Sequence, residues 1–242
     1  MTAAVVNGNP AARIWLFDFD NTLAALEKHV DWAASRRELE AFLRSQGIDE
    51  AIFSEFPSRN LPLYNALLTR LLRGSLDVAA LMRQASAIIE SYELRGVEHA
   101  APLPGAKELM LALRARNKRV AVVTSNSSQT VIRWLSKHRL VVEVIVGRDS
   151  LLPLKPAPEM IQRALELSAG NAPEAVLLGD SEADLLAAHR AQVGFFGVAP
   201  NPDARTRLEA LGAREVFPSP GDLARHLNLF GLPSTDVNER LR

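Results

Sequence analysis

The chain has 242 residues, no cysteine, and equal numbers of acidic and basic side chains, 28 of each. The lack of cysteine excludes disulfides and thiolate metal sites, and the balanced charge argues against a nucleic-acid-binding protein, which usually carries a basic surplus. Residues 1–13 lack the apolar core of a signal peptide, and no apolar run approaches the length of a membrane span. We therefore expect a cytoplasmic protein with no membrane and no nucleic-acid partner.

Five short runs rich in Val, Ile, Leu and Phe are typical of strands that are buried on both faces of a sheet. They are Ile14–Phe17, 120–123, 141–146, 175–178 and Gly194–Val198. Segments with the apolar spacing of helices lie beside the later runs, at 106–116, 129–138, 158–167, 182–191 and 203–211. This alternation predicts an α/β fold, a Rossmann-like doubly wound parallel sheet with helices on both faces.

Residues 23–102, between the first and second predicted strands, contain no convincing strand. Apolar residues at helical spacing predict helices around 39–43, 63–71 and 78–92. We therefore predict a core of residues 1–22 and 103–230 that carries an inserted all-helical domain over 23–102. Residues 231–242 have few apolar side chains and are predicted to form a flexible tail.

Acidic residues follow two of the predicted strands. Asp18 and Asp20 come after the first, Asp180 follows the fourth, and Asp184 lies one helical turn further on. Two carboxylates directly after a buried strand are costly unless something pairs with them. An Asx turn at the first strand and an N-cap at the fourth would also explain these residue types.

Hydroxyl and basic residues follow the second and third strands. Thr124, Ser125 and Asn126 suit either a helix cap or an anion site at a helix N-terminus. Lys155, beside Pro156, is either a solvated surface lysine or a cation held against a phosphate. Because ligands of parallel sheets bind beyond the carboxyl ends of the strands, all four motifs are expected to meet at one rim.

The order and spacing of these four motifs resemble the haloacid dehalogenase superfamily, specifically its phosphatase branch. The resemblance covers residue 14 to about residue 230, and Pro104-Gly105 and residues 220–223 look like those of its phosphoglycolate-phosphatase-like members. Residues 23–102 look like the helical cap of that family. The resemblance implies an enzyme, a magnesium-dependent phosphohydrolase that cleaves a small phosphomonoester.

The resemblance also implies roles for the acidic residues. Asp18 is the nucleophile that becomes an aspartyl-phosphate, and Asp20 is the general acid and base. The cofactor Mg²⁺ is held by Asp18, by Asp180 and by the backbone carbonyl of Asp20. Asp184 lies behind these groups and orients Lys155 or a metal-bound water.

The phosphoryl oxygens are expected to be bound by basic and hydroxyl groups. The resemblance implies that Lys155 offsets their charge and that Thr124 holds them together with N–H groups around Ser125 and Asn126. Asp20 also distinguishes two chemistries of the superfamily, because a phosphatase must protonate its leaving group and a dehalogenase need not. The expected partner is a small phosphorylated metabolite, and a monomer and a homodimer both remain open.

Three alternatives stay open at this point. The first is a phosphomutase or other phosphotransferase on the same scaffold. The second is a phosphonatase, which needs a lysine in the helical segment, where Lys28 is the only one between residues 24 and 102. The third is a non-catalytic domain that binds a phosphorylated ligand or a partner protein.

Four cationic residues near the start of the helical segment are predicted to contact an acidic leaving group. They are Lys28, His29, Arg36 and Arg37. Each alone is equally compatible with a solvated surface charge, so the prediction concerns the set. The helical segment is also predicted to close over the substrate.

Overall fold

The computed structural model describes residues 7–71 and 76–229, so the predicted flexible tail at 231–242 lies outside the described residues. Six parallel strands form one sheet in the order β3-β2-β1-β4-β5-β6. They are β1 (Ile14–Phe17), β2 (Arg119–Val123), β3 (Val144–Val146), β4 (Ala175–Gly179), β5 (Gly194–Val198) and β6 (Val216–Phe217). Because β1 pairs with both β2 and β4, the residues after it lie in the middle of the carboxyl rim.

Between residues 23 and 102 the described residues form four α-helices and no strand. The helices are α1 (Trp32–Ser45), α2 (Ala51–Glu55), α3 (Asn60–Leu71) and α4 (Leu76–Val97), after one 3₁₀ turn at Glu27–His29. The three predicted helices lie in α1, α3 and α4. The segments that connect this helical insertion to the core run side by side, because Ala25 N–H donates to Ala101 O at 3.0 Å and Leu103 N–H donates to Leu23 O at 2.9 Å.

Helices cover both faces of the sheet. They are α5 (Ala106–Ala115), α6 (Ser128–His138), α7 (Glu159–Leu167), α8 (Glu182–Ala191), α9 (Pro202–Ala210) and α10 (Pro220–His226). Successive residues of a strand point to opposite faces. Ile14 and Leu16 accordingly share a core with α7, α8 and α9, whereas Trp15 and Phe17 share one with α5, α6 and α10. The predicted Rossmann-like parallel sheet with inserted helices is confirmed.

The predicted core helices agree with the observed bounds to within one residue, but one predicted strand differs and one strand was not predicted. β3 begins at Val144 rather than at residue 141, and Val141 lies outside it with 63% of its surface exposed. β6 was not predicted, because a strand of two residues carries no periodicity.

The longest helix of the described residues is α4, with 22 residues. It includes the charged residues Arg83, Glu90, Glu93 and Arg95. Among the described residues, no helix is long and apolar enough to cross a membrane.

Candidate active site

The chain turns directly after β1, at the centre of the carboxyl rim. Asp18 N–H donates to Leu178 O at 2.9 Å, so Asp18 extends the pairing with β4 by one residue. Asn21 then adopts a left-handed conformation with φ of 58°, which asparagine tolerates better than most residues. The turn keeps the side chains of Asp18 and Asp20 at the rim, and both line the same cavity.

The Asp20 carboxyl is oriented by the chain that follows it. Its Oδ1 accepts backbone N–H bonds from Leu26 and Glu27, both at 2.9 Å. Burial raises the pKa of Asp20 to about 7, although these N–H groups lower it, and the charge of Asp18 raises it further. A carboxyl with this pKa carries a proton in a large fraction of molecules near neutral pH, which suits a group that donates and accepts protons.

Lys155 joins the motifs that follow β1, β2 and β4. Its Nζ donates to Asp18 Oδ1 at 2.5 Å, to Asp184 Oδ1, and to Val123 O at 3.0 Å. Burial lowers the pKa of Lys155, but the charges of Asp18 and Asp184 more than offset this and raise it above its ordinary value. Lys155 is therefore a buried cation at the centre of the site, and the alternative of a solvated surface lysine is excluded.

The two aspartates after β4 have different places: Asp184 takes part in the capping box of α8, and Asp180 stays at the rim. Ser181, not Asp180, caps α8, and Asp184 Oδ2 accepts from the Ser181 N–H at 3.1 Å to complete a capping box. This bond fixes Asp184 in the position where it contacts Lys155. Asp180 remains at the rim, with its Oδ1 3.4 Å from Thr22 Oγ1. Thr22 Oγ1 also lies 3.4 Å from Asp18 Oδ2.

Three carboxylates form a cluster that fits a metal ion. Oxygens of Asp18, Asp180 and Asp184 lie within 4.8 Å of one another. Burial raises the pKa of Asp180 well above its usual range, and repulsion by the other two carboxylates raises it further. Burial also raises the pKa of Asp18 to about 6, although Lys155 lowers it. Hard oxygen donors whose charges repel one another fit a divalent cation such as Mg²⁺.

The predicted contribution of Asp20 to the metal site rests on its backbone carbonyl alone. Its carboxylate does not belong to the three-carboxylate cluster. Its Oδ1 is instead bonded to the N–H groups of Leu26 and Glu27.

Residues 124–127, here called the β2 loop, connect β2 to α6. Thr124 Oγ1 accepts from Asn126 N–H at 3.1 Å and donates to Asn126 Oδ1 at 3.0 Å. Ser127 caps α6 by accepting the Thr130 N–H at 3.1 Å. The capping role therefore falls to Ser127, whereas Thr124, Ser125 and Asn126 line the cavity.

A buried ion pair that was not predicted from the sequence connects the β2 loop to α4. Glu93 and Arg148 are both 0% exposed, and Arg148 Nη1 lies 2.7 Å from Glu93 Oε1. Glu93 also accepts the Ser127 N–H at 3.0 Å, and Arg148 donates to Ser125 O at 2.9 Å. The two residues are 55 positions apart, and neither stands in a motif that distinguishes it from a surface charge.

The site opens into a cavity of about 430 Å³ between the rim and the helical insertion. All eight predicted site residues line it: Asp18, Asp20, Thr124, Ser125, Asn126, Lys155, Asp180 and Asp184. A volume of this size is sufficient for a small metabolite. The motifs of four separate strand ends therefore converge on one ligand-sized space.

The cationic side chain that lines the cavity from the insertion is Arg59, which was not predicted. The four predicted cations, Lys28, His29, Arg36 and Arg37, do not line it. The prediction is wrong for Arg36, which is 6% exposed and whose guanidinium is bonded to Glu40 and to the carbonyl oxygens of Phe53 and Arg59. Arg59 comes directly before α3 and is exposed, and its guanidinium has no ion pair with the described residues.

The fold and the site together define a Rossmann-like α/β enzyme with a carboxylate and lysine centre at the carboxyl rim of its sheet. The model of the haloacid dehalogenase-like hydrolase family matches residues 15–198, which contain every predicted site residue. The chain belongs to this family.

Curated relatives and solved structures agree with this assignment. Over 186 residues the chain is 28% identical to a phosphoglycolate phosphatase of Cupriavidus necator. This alignment covers 74% of this chain and 77% of that protein. It is 31% identical over 105 residues to the pyrophosphatase PpaX of Bacillus cereus, and this alignment covers 43% of this chain and 49% of the relative. The crystal structure of a hydrolase from Pseudomonas syringae has the same fold, with a TM-score of 0.59 and 23% identity over 91% of this chain and all of that one. The predicted resemblance to the phosphatase branch is confirmed.

Proposed function

We propose that this chain is a magnesium-dependent phosphohydrolase that cleaves a small phosphomonoester through an aspartyl-phosphate on Asp18. The observation that carries the proposal is the contact between Lys155 and Asp18, with Asp20 beside them in the same cavity. Lys155 and the cavity provide a binding place for an anion, Asp18 provides a nucleophile, and Asp20 provides a proton.

In the first step an oxygen of Asp18 attacks phosphorus while the bond from phosphorus to the leaving oxygen breaks. Lys155 keeps Asp18 ionised and offsets charge on the phosphoryl oxygens. The Ser125 N–H, next to Asn126, donates to those oxygens, and the Thr124 hydroxyl does so after it turns away from Asn126 Oδ1, its acceptor in this structure. Asp20 transfers its proton to the leaving oxygen, so that the product departs as a neutral alcohol group.

In the second step water attacks phosphorus and the bond to Asp18 breaks. Asp20, now ionised, accepts a proton from the attacking water, which regenerates both carboxyl groups and releases phosphate. The pKa of Asp20, raised to about 7 mainly by burial, supports both directions of this transfer. One carboxyl therefore serves as the acid of the first step and the base of the second.

The residues fit Mg²⁺ as the cofactor. Asp18, Asp180 and the backbone carbonyl of Asp20 would hold the ion, and Asp184 would orient Lys155 from behind. When bound, the ion supplies positive charge that reduces repulsion between the carboxylates and the phosphoryl oxygens.

An acidic leaving group is the substrate class that the cavity supports best. Arg59 lines the side formed by the insertion, and a guanidinium binds carboxylates and phosphates in a bidentate manner. The relatives named above include a phosphoglycolate phosphatase and a pyrophosphatase, whose names describe substrates with acidic leaving groups. Residues 23–102 act in this proposal as a cap that covers the substrate on a core of residues 1–22 and 103–230. A cytoplasmic location stays a prediction.

Phosphate release from a panel of phosphorylated compounds tests the proposed function. The panel contains 2-phosphoglycolate, pyrophosphate, the phosphate ester of a neutral sugar and p-nitrophenyl phosphate, each with and without Mg²⁺. We expect magnesium-dependent release that is fastest for the acidic compounds. Transfer of phosphate to an added sugar without release of phosphate would favour a phosphotransferase. If no compound is turned over, the remaining interpretation is a non-catalytic domain that binds a phosphorylated ligand.

The role of Asp20 predicts a dependence on the leaving group. Asp20→Asn should lower kcat/KM for an alkyl phosphate by about a hundredfold or more, because the alkoxide then leaves without a proton. The loss should be much smaller for p-nitrophenyl phosphate, whose phenolate leaves without protonation. The kcat/KM values for the two substrates check this, because they report the first step and exclude the second, in which loss of Asp20 as a base slows both substrates alike. An equal loss of kcat/KM for both contradicts the general-acid role.

Arg59 predicts a change of substrate preference. Arg59→Gln should raise the KM for 2-phosphoglycolate by about tenfold, the effect of one lost charge-assisted hydrogen bond. The KM for p-nitrophenyl phosphate should stay the same. Arg37→Gln is the matched control, because Arg37 is an exposed arginine of the same insertion that does not line the cavity. An unchanged ranking of substrates in the Arg59 variant would mean that other residues read the leaving group.

A further inference from the structure

Glu93 lies in α4 of the insertion, and its carboxylate is saturated with hydrogen bonds. Oε1 accepts from Arg148 Nη1 at 2.7 Å and Asn126 Nδ2 at 3.0 Å. Oε2 accepts from Ser127 N–H at 3.0 Å, Arg148 Nη2 at 3.1 Å and Thr130 Oγ1 at 3.2 Å. A carboxylate has about four lone-pair sites, so these five donors leave no room for another.

Arg148 is saturated in the same way. Its Nε donates to Ser86 Oγ at 3.1 Å and its Nη2 to Ser86 O at 3.3 Å, which ties it to α4. Two further N–H groups bind Glu93, and the fifth donates to Ser125 O at 2.9 Å. Its backbone N–H also donates to Asn126 O at 2.9 Å.

Together Glu93 and Arg148 bind polar groups of three residues of the β2 loop, Ser125, Asn126 and Ser127. Arg148 binds the Ser125 carbonyl through its side chain and the Asn126 carbonyl through its backbone N–H, and Glu93 binds the N–H of Ser127. Glu93 also fixes the Asn126 amide with Nδ2 toward itself, which leaves Oδ1 to accept from Thr124 Oγ1 at 3.0 Å. The orientation of the loop residues that line the cavity thus depends on a charge in the insertion.

We propose that Glu93 is a positioning residue that, paired with Arg148, holds the β2 loop in the shape that binds phosphoryl oxygens. Ser125 lines the cavity, and its N–H has no acceptor among the described residues, so it is a donor for an anion. Buried charges that are fully hydrogen-bonded fix a single arrangement of the groups around them. The insertion therefore shapes the phosphate site as well as covering it. This inference rests on the proposed function.

Glu93→Gln tests the inference in the full-length, magnesium-loaded protein. Glutamine keeps the shape of the side chain but removes the charge and one of the two acceptor oxygens. We expect binding of inorganic phosphate, measured by calorimetry, to weaken by about tenfold or more, and KM to rise more than kcat falls. Glu40→Gln is the matched control, because Glu40 also pairs with arginines of the insertion but contacts no residue of the β2 loop.

The double variant Glu93→Gln with Arg148→Met separates positioning from stability. The single variant leaves Arg148 charged and buried without its partner, which lowers the thermal midpoint, and the double variant removes that penalty. We expect the double variant to regain thermal stability while its phosphate affinity stays weak. Recovery of both quantities would show that Glu93 acts through stability alone and would overturn the inference.

A milder change covers the case in which neither variant folds. Thr130→Val removes one neutral donor to Glu93 and should weaken phosphate binding a few-fold, and an unchanged affinity contradicts the inference.

If the wild-type protein binds phosphate and hydrolyses phosphomonoesters but Glu93→Gln binds phosphate equally well, this inference fails alone. If the wild-type protein does neither, the proposed function fails with it.

Discussion

Asp18→Asn is expected to lower turnover of every phosphomonoester by at least about a thousandfold. The amide has the size of the carboxylate but lacks its negative oxygen, so it cannot form the bond to phosphorus. Lys155 should keep its place, because Asp184 and Val123 O still accept from its Nζ. The measurement is phosphate release at saturating Mg²⁺ and substrate.

Asp203→Asn is the matched control, since Asp203 is an exposed aspartate in the first turn of α9. It should leave turnover unchanged. Acid-stable phosphate labelling of Asp18→Asn should also be absent, whereas wild-type protein quenched during turnover should carry acid-stable phosphate. Residual activity of about a tenth of the wild-type rate or more would refute the nucleophile assignment.

The same substitution has an opposite expected effect on stability. Burial raises the pKa of Asp18 from 3.8 to about 6 in the folded protein, so the folded state holds a proton that the unfolded chain releases between these values. The contribution of Asp18 to the free energy of unfolding of the metal-free wild type therefore falls as pH rises from 3.8 to about 6, and it stays lower above that. Asp18→Asn does not have this pH-dependent loss of stability. Its thermal unfolding midpoint in metal-free buffer at pH 8 should therefore be at least as high as that of the wild type.

Most of the core was predictable because a parallel sheet covered on both faces leaves a plain pattern in the sequence. Ile14–Phe17 is buried along its whole length, so the segment is a continuous apolar run rather than an alternating one. The polar residues that follow such runs are then predicted to meet at one rim. Asp18, Lys155 and Asp180 do so, although the first and the last are 162 positions apart in the sequence.

The cavity wall formed by the insertion was not predictable in the same way. Arg36 lies in α1 and Arg59 directly before α3, and no local feature of the sequence indicates which of them is buried. The structure decides this through tertiary contacts, since Arg36 binds the carbonyl oxygens of Phe53 and Arg59 and so cannot reach the ligand. The pair of Glu93 and Arg148 was hidden for the same reason, because contacts between distant positions leave no periodicity.

Removal of Mg²⁺ is expected to abolish activity, and Asp180→Ala should have nearly the same effect. Asp180 is one of the carboxylates in the cluster with Asp18 and Asp184, so its loss removes one of few protein oxygens available to the ion. We expect turnover of Asp180→Ala at a magnesium concentration that saturates the wild type to fall by at least about a thousandfold. Asp203→Ala is the control.

Calcium should inhibit rather than replace magnesium. Its longer and more variable bonds to oxygen would leave Asp18 badly placed relative to phosphorus. Competition of Ca²⁺ with Mg²⁺ in the phosphate-release assay measures this. Activation by Ca²⁺ to the level reached with Mg²⁺ would contradict the expected octahedral site.

Metal binding should also release a proton and become tighter as pH rises. The pKa of Asp180 is raised well above its usual range by burial and by the charges of Asp18 and Asp184, so in the metal-free protein this carboxyl retains its proton to unusually high pH. A cation binds the ionised form and must displace that proton.

Thermal unfolding provides a readout that is independent of activity, because an ion that binds only the folded state raises the midpoint. We expect Mg²⁺ to raise the midpoint of the wild type more at pH 8 than at pH 6, and to leave that of Asp180→Ala nearly unchanged. Full turnover by the wild type in excess chelator, or equal shifts in the wild type and the variant, would contradict the assignment of Asp180 to the metal.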